Sequence, residues 1–76
     1  MSIEELNEKL IYRIRLKMAS CRTRLDVPEF KDNSIYELCF LIELLEIINT
    51  KESLLTANYI KELIIKAKNR TYKIGD

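Results

Sequence analysis

The sequence predicts a small all-α protein, either a three-helix bundle or a helical hairpin with an additional N-terminal helix, completed by oligomerisation. Three observations support this fold class. Apolar residues recur at helical spacing, Gly and Pro occur once each, and 76 residues form one domain with little interior. We expect a single helical domain over residues 1–76, with helices at about 3–25, 34–49 and 51–70 and a loop at 26–33.

The first predicted helix begins close to the N-terminus, where Ser2 and Glu5 have the spacing of a capping box. The apolar positions that follow define one helical face: Ile3, Leu6, Leu10, Ile14, Met18, Cys21 and Leu25. We expect this helix to end before Pro28, because the residue preceding a proline is pushed away from helical geometry. Phe30, within the predicted loop, is expected to plug one end of the core.

The second predicted helix begins at Ser34, which forms another possible capping box with Glu37. Its main apolar stripe consists of Ile35, Leu38, Leu41, Ile42, Leu45 and Ile48. The roughly opposite side carries Tyr36, Phe40, Leu44 and Ile47. A helix that is apolar on both sides is expected to lie between other elements.

The third predicted helix follows a short junction at Asn49 and Thr50, two residues that continue a helix poorly. Its stripe consists of Ala57, Ile60, Leu63, Ile64 and Ala67. Because the junction is short, the second and third helices are expected to be antiparallel neighbours.

The residue inventory argues against most enzyme mechanisms. The chain has no His and no Gly-rich turn, which excludes phosphate loops and His-based acid–base or nucleophile systems. Glu43 and Glu46 lie one turn apart, but without an E-x-x-H motif they are interpreted as the solvated edge of a helix. Cys21 and Cys39 lack C-x-x-C spacing and are interpreted as small buried thiols. We therefore predict no catalytic residues, metal site or cofactor.

Charge is balanced, with 13 basic and 12 acidic side chains and a net charge of +1. On the first helix Arg13, Lys17 and Arg24 flank one side of the apolar stripe, whereas Arg15 and Arg22 flank the other. This arrangement favours solvated flanks or ion pairs over a single phosphate-binding face. The residues that would contact nucleic acid, if any do, are Lys17, Arg22, Arg24, Lys66, Lys68 and Arg70.

Apolar residues outside the predicted core stripes indicate association with another chain. On the outer side of the first helix Tyr12 and Leu16 are four residues apart, bordered by Arg13 and Arg15. The predicted partner-binding set is Tyr12, Leu16, Arg13, Arg15, Phe40 and Ile47. Further apolar residues on the third helix and beyond it are Leu54, Ile65 and Tyr72.

The leading functional hypothesis is a non-enzymatic, protein-binding regulator: a helical adaptor or inhibitor of a host or partner protein. The protein partner is expected to be either a copy of the chain itself or a host target. The composition, with 11 Ile, 8 Lys and 5 Asn but 3 Ala, favours a low-G+C source such as a phage, a mobile element or a low-G+C bacterium. Glutamates interrupt every apolar stretch and the N-terminus is acidic, so a cytoplasmic protein without a membrane span is expected. The alternatives are a dimeric nucleic-acid-binding regulator and, more weakly, a binder of small anionic ligands at a subunit interface.

Overall fold

The protein is a three-helix bundle in the computed structural model, which describes residues 2–69. The helices are α1 (Ile3–Arg24), α2 (Pro28–Ile48) and α3 (Lys51–Lys68), with no strand among the described residues. All three helices pack together, α3 more extensively against α2 than against α1. The predicted all-α fold is therefore confirmed.

The order of the helices in space follows from their short connections. Three residues join α1 to α2, and two join α2 to α3, so each consecutive pair is antiparallel. Helices α1 and α3 consequently run in the same direction, with their C-terminal ends at the same end of the bundle. The sequence left open whether α3 packs back on α1, and the structure shows that it does.

The core is made by one face of each helix. Its largest completely buried apolar side chains are Leu38, Leu45 and Ile60. All five apolar residues predicted to face the core on α3 are buried, as are four of the six predicted to do so on α2. The apolar core residues are Ile11, Ile14, Cys21, Leu25, Leu38, Leu41, Ile42, Leu45, Ala57, Ile60, Leu63, Ile64 and Ala67.

Helix α1 begins where the sequence predicts, but its first two turns do not enter the core. The Glu5 backbone N–H donates to the Ser2 hydroxyl at 3.1 Å, which caps the helix. Ile3 and Leu6, both predicted to lie on the core face, are exposed, whereas Ile11 is buried. Lys17 of α1 contacts Glu37 of α2, and the two helices are antiparallel, so positions closer to the start of α1 are level with positions closer to the end of α2. By this correspondence Ile3 lies beyond Ile48, where α2 ends. No part of α2 extends far enough to cover it.

The predicted loop at 26–33 is wrong, because α2 begins at Pro28 rather than at Ser34. Val27 is extended, as a residue before proline should be, but the proline itself occupies the first helical turn. Its missing N–H would have no intrahelical partner there, and its fixed φ suits the helix. Ser34, predicted as a cap, is instead buried inside α2, and Phe30 is half exposed rather than a core plug.

The junction between α2 and α3 is formed by a left-handed residue and a capping box. Asn49 adopts left-handed geometry at φ 55°, a conformation that asparagine tolerates better than most residues, and this ends α2. Thr50 and Ser53 then form a reciprocal capping box. The Ser53 N–H donates to the Thr50 hydroxyl at 3.1 Å, and the Thr50 N–H donates to the Ser53 hydroxyl at 2.8 Å. The start of α3 is therefore fixed immediately after the turn.

Replacing Thr50 with alanine should lower the free energy of unfolding by about 0.5–2 kcal/mol, because the Ser53 N–H loses its side-chain acceptor. Chemical denaturation followed by circular dichroism measures the change. Thr23→Ala is the matched control, since the Thr23 hydroxyl bonds only within the exposed last turn of α1. It should change stability by no more than about 0.5 kcal/mol. Equal losses in both variants would contradict a specific role for the capping box.

Candidate protein-contact surfaces

The outer side of α2 carries a row of apolar side chains, which we call the α2 stripe: Tyr36, Phe40, Leu44 and Ile47. At 100° per residue they lie roughly opposite the buried Leu38 and Leu45. Tyr36 and Ile47 are each 79% exposed, Phe40 is 56% exposed and Leu44 is partly buried. The expectation that α2 would lie between other elements is therefore met on one side only, since neither α1 nor α3 covers this row.

Beside the stripe, an open groove of about 310 Å³ runs between α1 and α2. It is lined almost entirely by apolar atoms, and Arg13 and Lys17 stand on its α1 side. Leu44 and Ile47 belong to both the stripe and the groove, so the two features form one continuous surface. The residues that line the groove are Leu10, Arg13, Ile14, Lys17, Leu41, Leu44, Ile47 and Ile48.

A second apolar surface lies on the outer face of α1, where Tyr12 and Leu16 are 62% and 50% exposed. Arg13 separates this surface from the groove, because at 100° per residue it lies between Leu16 and the groove-lining Leu10. Tyr12 and Arg13 also line a shallow, more polar recess with Glu8 and Lys9. The predicted partner-binding residues are thus divided between two faces: Tyr12 and Leu16 on α1, and those of the α2 stripe.

The basic residues of α1 reach toward different neighbours. The Arg15 guanidinium lies 3.0 Å from the Glu52 carboxylate of α3 and donates to the Thr56 hydroxyl at 3.4 Å. The Lys17 ammonium lies 3.7 Å from the Glu37 carboxylate of α2. These side chains therefore act at least partly as links within the bundle, as the ion-pair interpretation predicts.

The other predicted nucleic-acid contacts come from two helices but lie at one end of the bundle. Arg22 and Arg24 are in the last turn of α1, and Lys66 and Lys68 are in the last turn of α3, so both clusters lie at the same end of the bundle. Arg22 and Lys66 each have an interaction within the protein. Glu29, in the first turn of α2, adds a negative charge at the same end. Arg70 and Tyr72 lie outside the described residues.

The two thiols differ, and only one is buried as predicted. Cys39 is exposed, whereas Cys21 is completely buried and donates its S–H to the Glu37 carboxylate at 3.1 Å. Burial raises the pKa of the Cys21 thiol to about 11, and the hydrogen bond and negative charge of Glu37 act in the same direction. The same hydrogen bond, with the nearby Lys17 ammonium, lowers the pKa of Glu37. Neither the spacing of Cys21 and Glu37 nor any local pattern predicts this contact between helices.

Over residues 2–69 no group of three or more His, Cys, Asp or Glu side chains is placed to bind a metal ion. None of the described helices combines the length and apolar character needed to cross a bilayer. What remains prominent in this range is exposed apolar surface bordered by charge.

Comparison with known proteins adds no further guide, since no family model, curated protein or solved structure matches the chain. The function must therefore be inferred from the chain's own surfaces. Exposed apolar side chains also occur on α3, where Leu55 and Tyr59 lie one turn apart. The outer face of α1 and the α2 stripe differ from them in adjoining a recess.

Proposed function

We propose that this protein is a non-enzymatic, protein-binding regulator, a small helical adaptor or inhibitor that acts by covering a surface of a partner protein. The observation that carries the proposal is the exposure of large apolar side chains on two faces of a folded bundle. Many residues of the chain are of types encoded by A/T-rich codons, which favours a low-G+C source such as a phage or mobile element. We place the target-binding site on the outer face of α1.

The outer face of α1 has the composition of an interface anchor. Tyr12 and Leu16 are one turn apart on a helix whose opposite side is fixed in the core, so binding would order little additional backbone. Tyrosine and arginine are enriched among residues that dominate binding energy, and Arg13 and Arg15 border the pair. In this proposal Tyr12 and Leu16 enter a groove on the target, while the arginines set orientation.

The nucleic-acid alternative has less support. Phosphate binding needs cations that converge on one exposed strip, whereas Arg15 and Lys17 point to opposite neighbours and are paired with glutamates. Association with duplex or single-stranded nucleic acid that weakens steeply as salt is raised would favour this alternative. It would also count against the proposed function if no protein partner were found.

The proposed function can be tested with paired baits. The tagged protein and its Tyr12→Gln/Leu16→Gln variant are used to capture proteins from the source cells, and a protein retained only by the unmodified chain is identified and purified. Its dissociation constant should rise at least about 30-fold for the variant, because two central apolar anchors are lost. Calorimetry measures the constant, and circular dichroism checks that helicity is unchanged.

The matched control is Leu55→Gln/Tyr59→Gln on α3, which removes the same two residue types at the same spacing. Leu55 and Tyr59 are 61% and 41% exposed, so the bundle should tolerate the change. Binding of the purified target should stay within about threefold of the unmodified chain, as expected for residues outside the central contacts. Equal weakening by both double variants, or none by either, would contradict the assignment of the site to α1.

A further inference from the structure

We propose that the α2 stripe and the α1–α2 groove bind the same surface of a second copy, forming a two-fold symmetric dimer with parallel α2 helices. This inference deepens the proposed function by assigning one of the two apolar surfaces to self-association. The outer face of α1 then remains available to the target. Arg13 lies on the border between the two surfaces and is the residue that both assignments use. The dimer does not depend on Tyr12 or Leu16, and target binding does not depend on Glu43, so each assignment can fail without the other.

The shape of the surface favours a second copy as its occupant. A two-fold interface uses the same patch on both subunits, so the patch must be complementary to itself. Here a raised row and a recess lie side by side: Phe40 and Ile47 project from α2, and the groove lies between α2 and α1. The row of one copy can enter the groove of the other while its own groove receives the second row. The result is a four-helix arrangement of two α1 and two α2 helices.

The charged side chains at the two edges of the surface also favour a second copy. Arg13 stands on the α1 side of the groove, and the exposed Glu43 lies on the far edge of the α2 stripe at 100° per residue. Within residues 2–69 neither side chain takes part in an ion pair, whereas the neighbouring Lys17 and Glu46 both do. The surface is thus bordered by a positive group on one side and a negative group on the other.

The two charges also lie at the same height along the bundle. Lys17 is level with Glu37 because the two side chains are in contact, and α1 and α2 are antiparallel. Arg13, one turn earlier on α1, is therefore level with positions 41–44 of α2, which agrees with Leu41 and Leu44 lining the groove beside it. Glu43 falls in this interval, close to the middle of the stripe.

These positions determine what a two-fold axis would bring together. A two-fold axis that lies in the interface, parallel to α2 and between the stripe and the groove, exchanges the two edges of the surface and preserves height, so Glu43 of each copy meets Arg13 of the other. Phe40 of one copy then lies level with Leu41 and Leu44 in the groove of the second. An unrelated amphipathic helix could fill the groove, but it would not account for opposite unpaired charges at equal height on the two edges. In a symmetric dimer both charges of each copy are paired, which gives two Arg13–Glu43 contacts.

The test is charge exchange in the full-length chain, with dimerisation measured by sedimentation equilibrium. The unmodified chain should dimerise, and Arg13→Glu or Glu43→Arg alone should raise the dimer dissociation constant at least about tenfold, because each places like charges together at two symmetric contacts. The double variant restores opposite charges and should return the constant to within about threefold of the unmodified value. Both residues are exposed, so circular dichroism should show unchanged helicity.

The control reversals are Lys51→Glu and Glu62→Arg, at exposed positions of α3 outside the groove. They should leave the dissociation constant unchanged within about threefold, which separates a specific contact from an effect of net charge. Monomer at all accessible concentrations would overturn the proposal. So would a dimer in which the double variant is no better than the single variants, or one in which the α2 surface binds a different protein in place of a second copy.

Discussion

Replacing Ile60 with alanine is expected to lower the free energy of unfolding by about 2–5 kcal/mol. Ile60 is completely buried at the centre of the α3 face that packs into the bundle, so truncation removes apolar contacts and leaves a cavity. A chain of 76 residues has a total stability of roughly 4–11 kcal/mol. If the total stability lies near the lower end of this range, a loss of about 5 kcal/mol would leave much of the protein unfolded. Denaturant titration followed by far-ultraviolet circular dichroism measures the loss.

The chain offers a matched control on the same helix. Ile65 is 58% exposed, and Ile65→Ala removes the same atoms from the side of α3 that faces away from the core. It should change stability by no more than about 0.5 kcal/mol. If both variants lost little, α3 would not be an integral part of the bundle. If both lost several kcal/mol, the side of α3 assigned to solvent would be wrong.

The difference between these two isoleucines could be predicted from sequence, because α3 has a single apolar face with clear helical spacing. Ile60 lies on that stripe with Ala57, Leu63, Ile64 and Ala67, and all five are buried. Periodicity works here because both α1 and α2 contact the same side of α3. The buried Ser53 and Thr56 were missed, although both continue the stripe toward the N-terminus. Their hydroxyls bond to backbone carbonyls one turn earlier, at Thr50 and Glu52, which makes burial tolerable.

Helix boundaries were harder to predict, because one residue can end a helix or begin one. Pro28 was interpreted as a terminator, and the rule that its predecessor is extended holds at Val27. The same proline is also well suited to the first turn of the next helix. Only the position of α2 relative to α1 decides between these roles, and local sequence does not contain that information. The exposure of Ile3 has the same origin, since it depends on where α2 ends.

The candidate surfaces could be recognised residue by residue but not assembled from sequence. Tyr12 and Phe40 were both identified as apolar residues outside the core stripes, and both are exposed. Their separation onto two faces depends on how α1 is rotated against α2, which a helical wheel of one helix cannot give. The groove and the Cys21–Glu37 contact are likewise products of packing between helices.

The second large expected effect arises from the Cys21–Glu37 contact. The protein should lose stability at alkaline pH, and this loss should disappear in Cys21→Ser. Burial and Glu37 raise the pKa of the Cys21 thiol from 9.0 to about 11, while Lys17 and Arg24 act weakly in the opposite direction. Below pH 9 the folded and unfolded chains both keep the thiol proton, and the stability is complete. Between pH 9 and 11 the unfolded chain releases that proton while the folded chain retains it, so stability falls. The total loss is on the order of 2–3 kcal/mol.

The measurement compares unfolding free energies of the unmodified protein and Cys21→Ser from pH 7 to 11.5. Other side chains also titrate in this range, but they are common to both proteins, so the difference between the two curves isolates Cys21. A serine hydroxyl can still donate to Glu37 and does not ionise at these pH values, so the difference should change by about 2–3 kcal/mol across the window. Cys39→Ser retains Cys21 and should retain the alkaline loss. Parallel curves for the unmodified protein and Cys21→Ser would show that the folded protein does not hold the Cys21 proton more tightly than the unfolded chain.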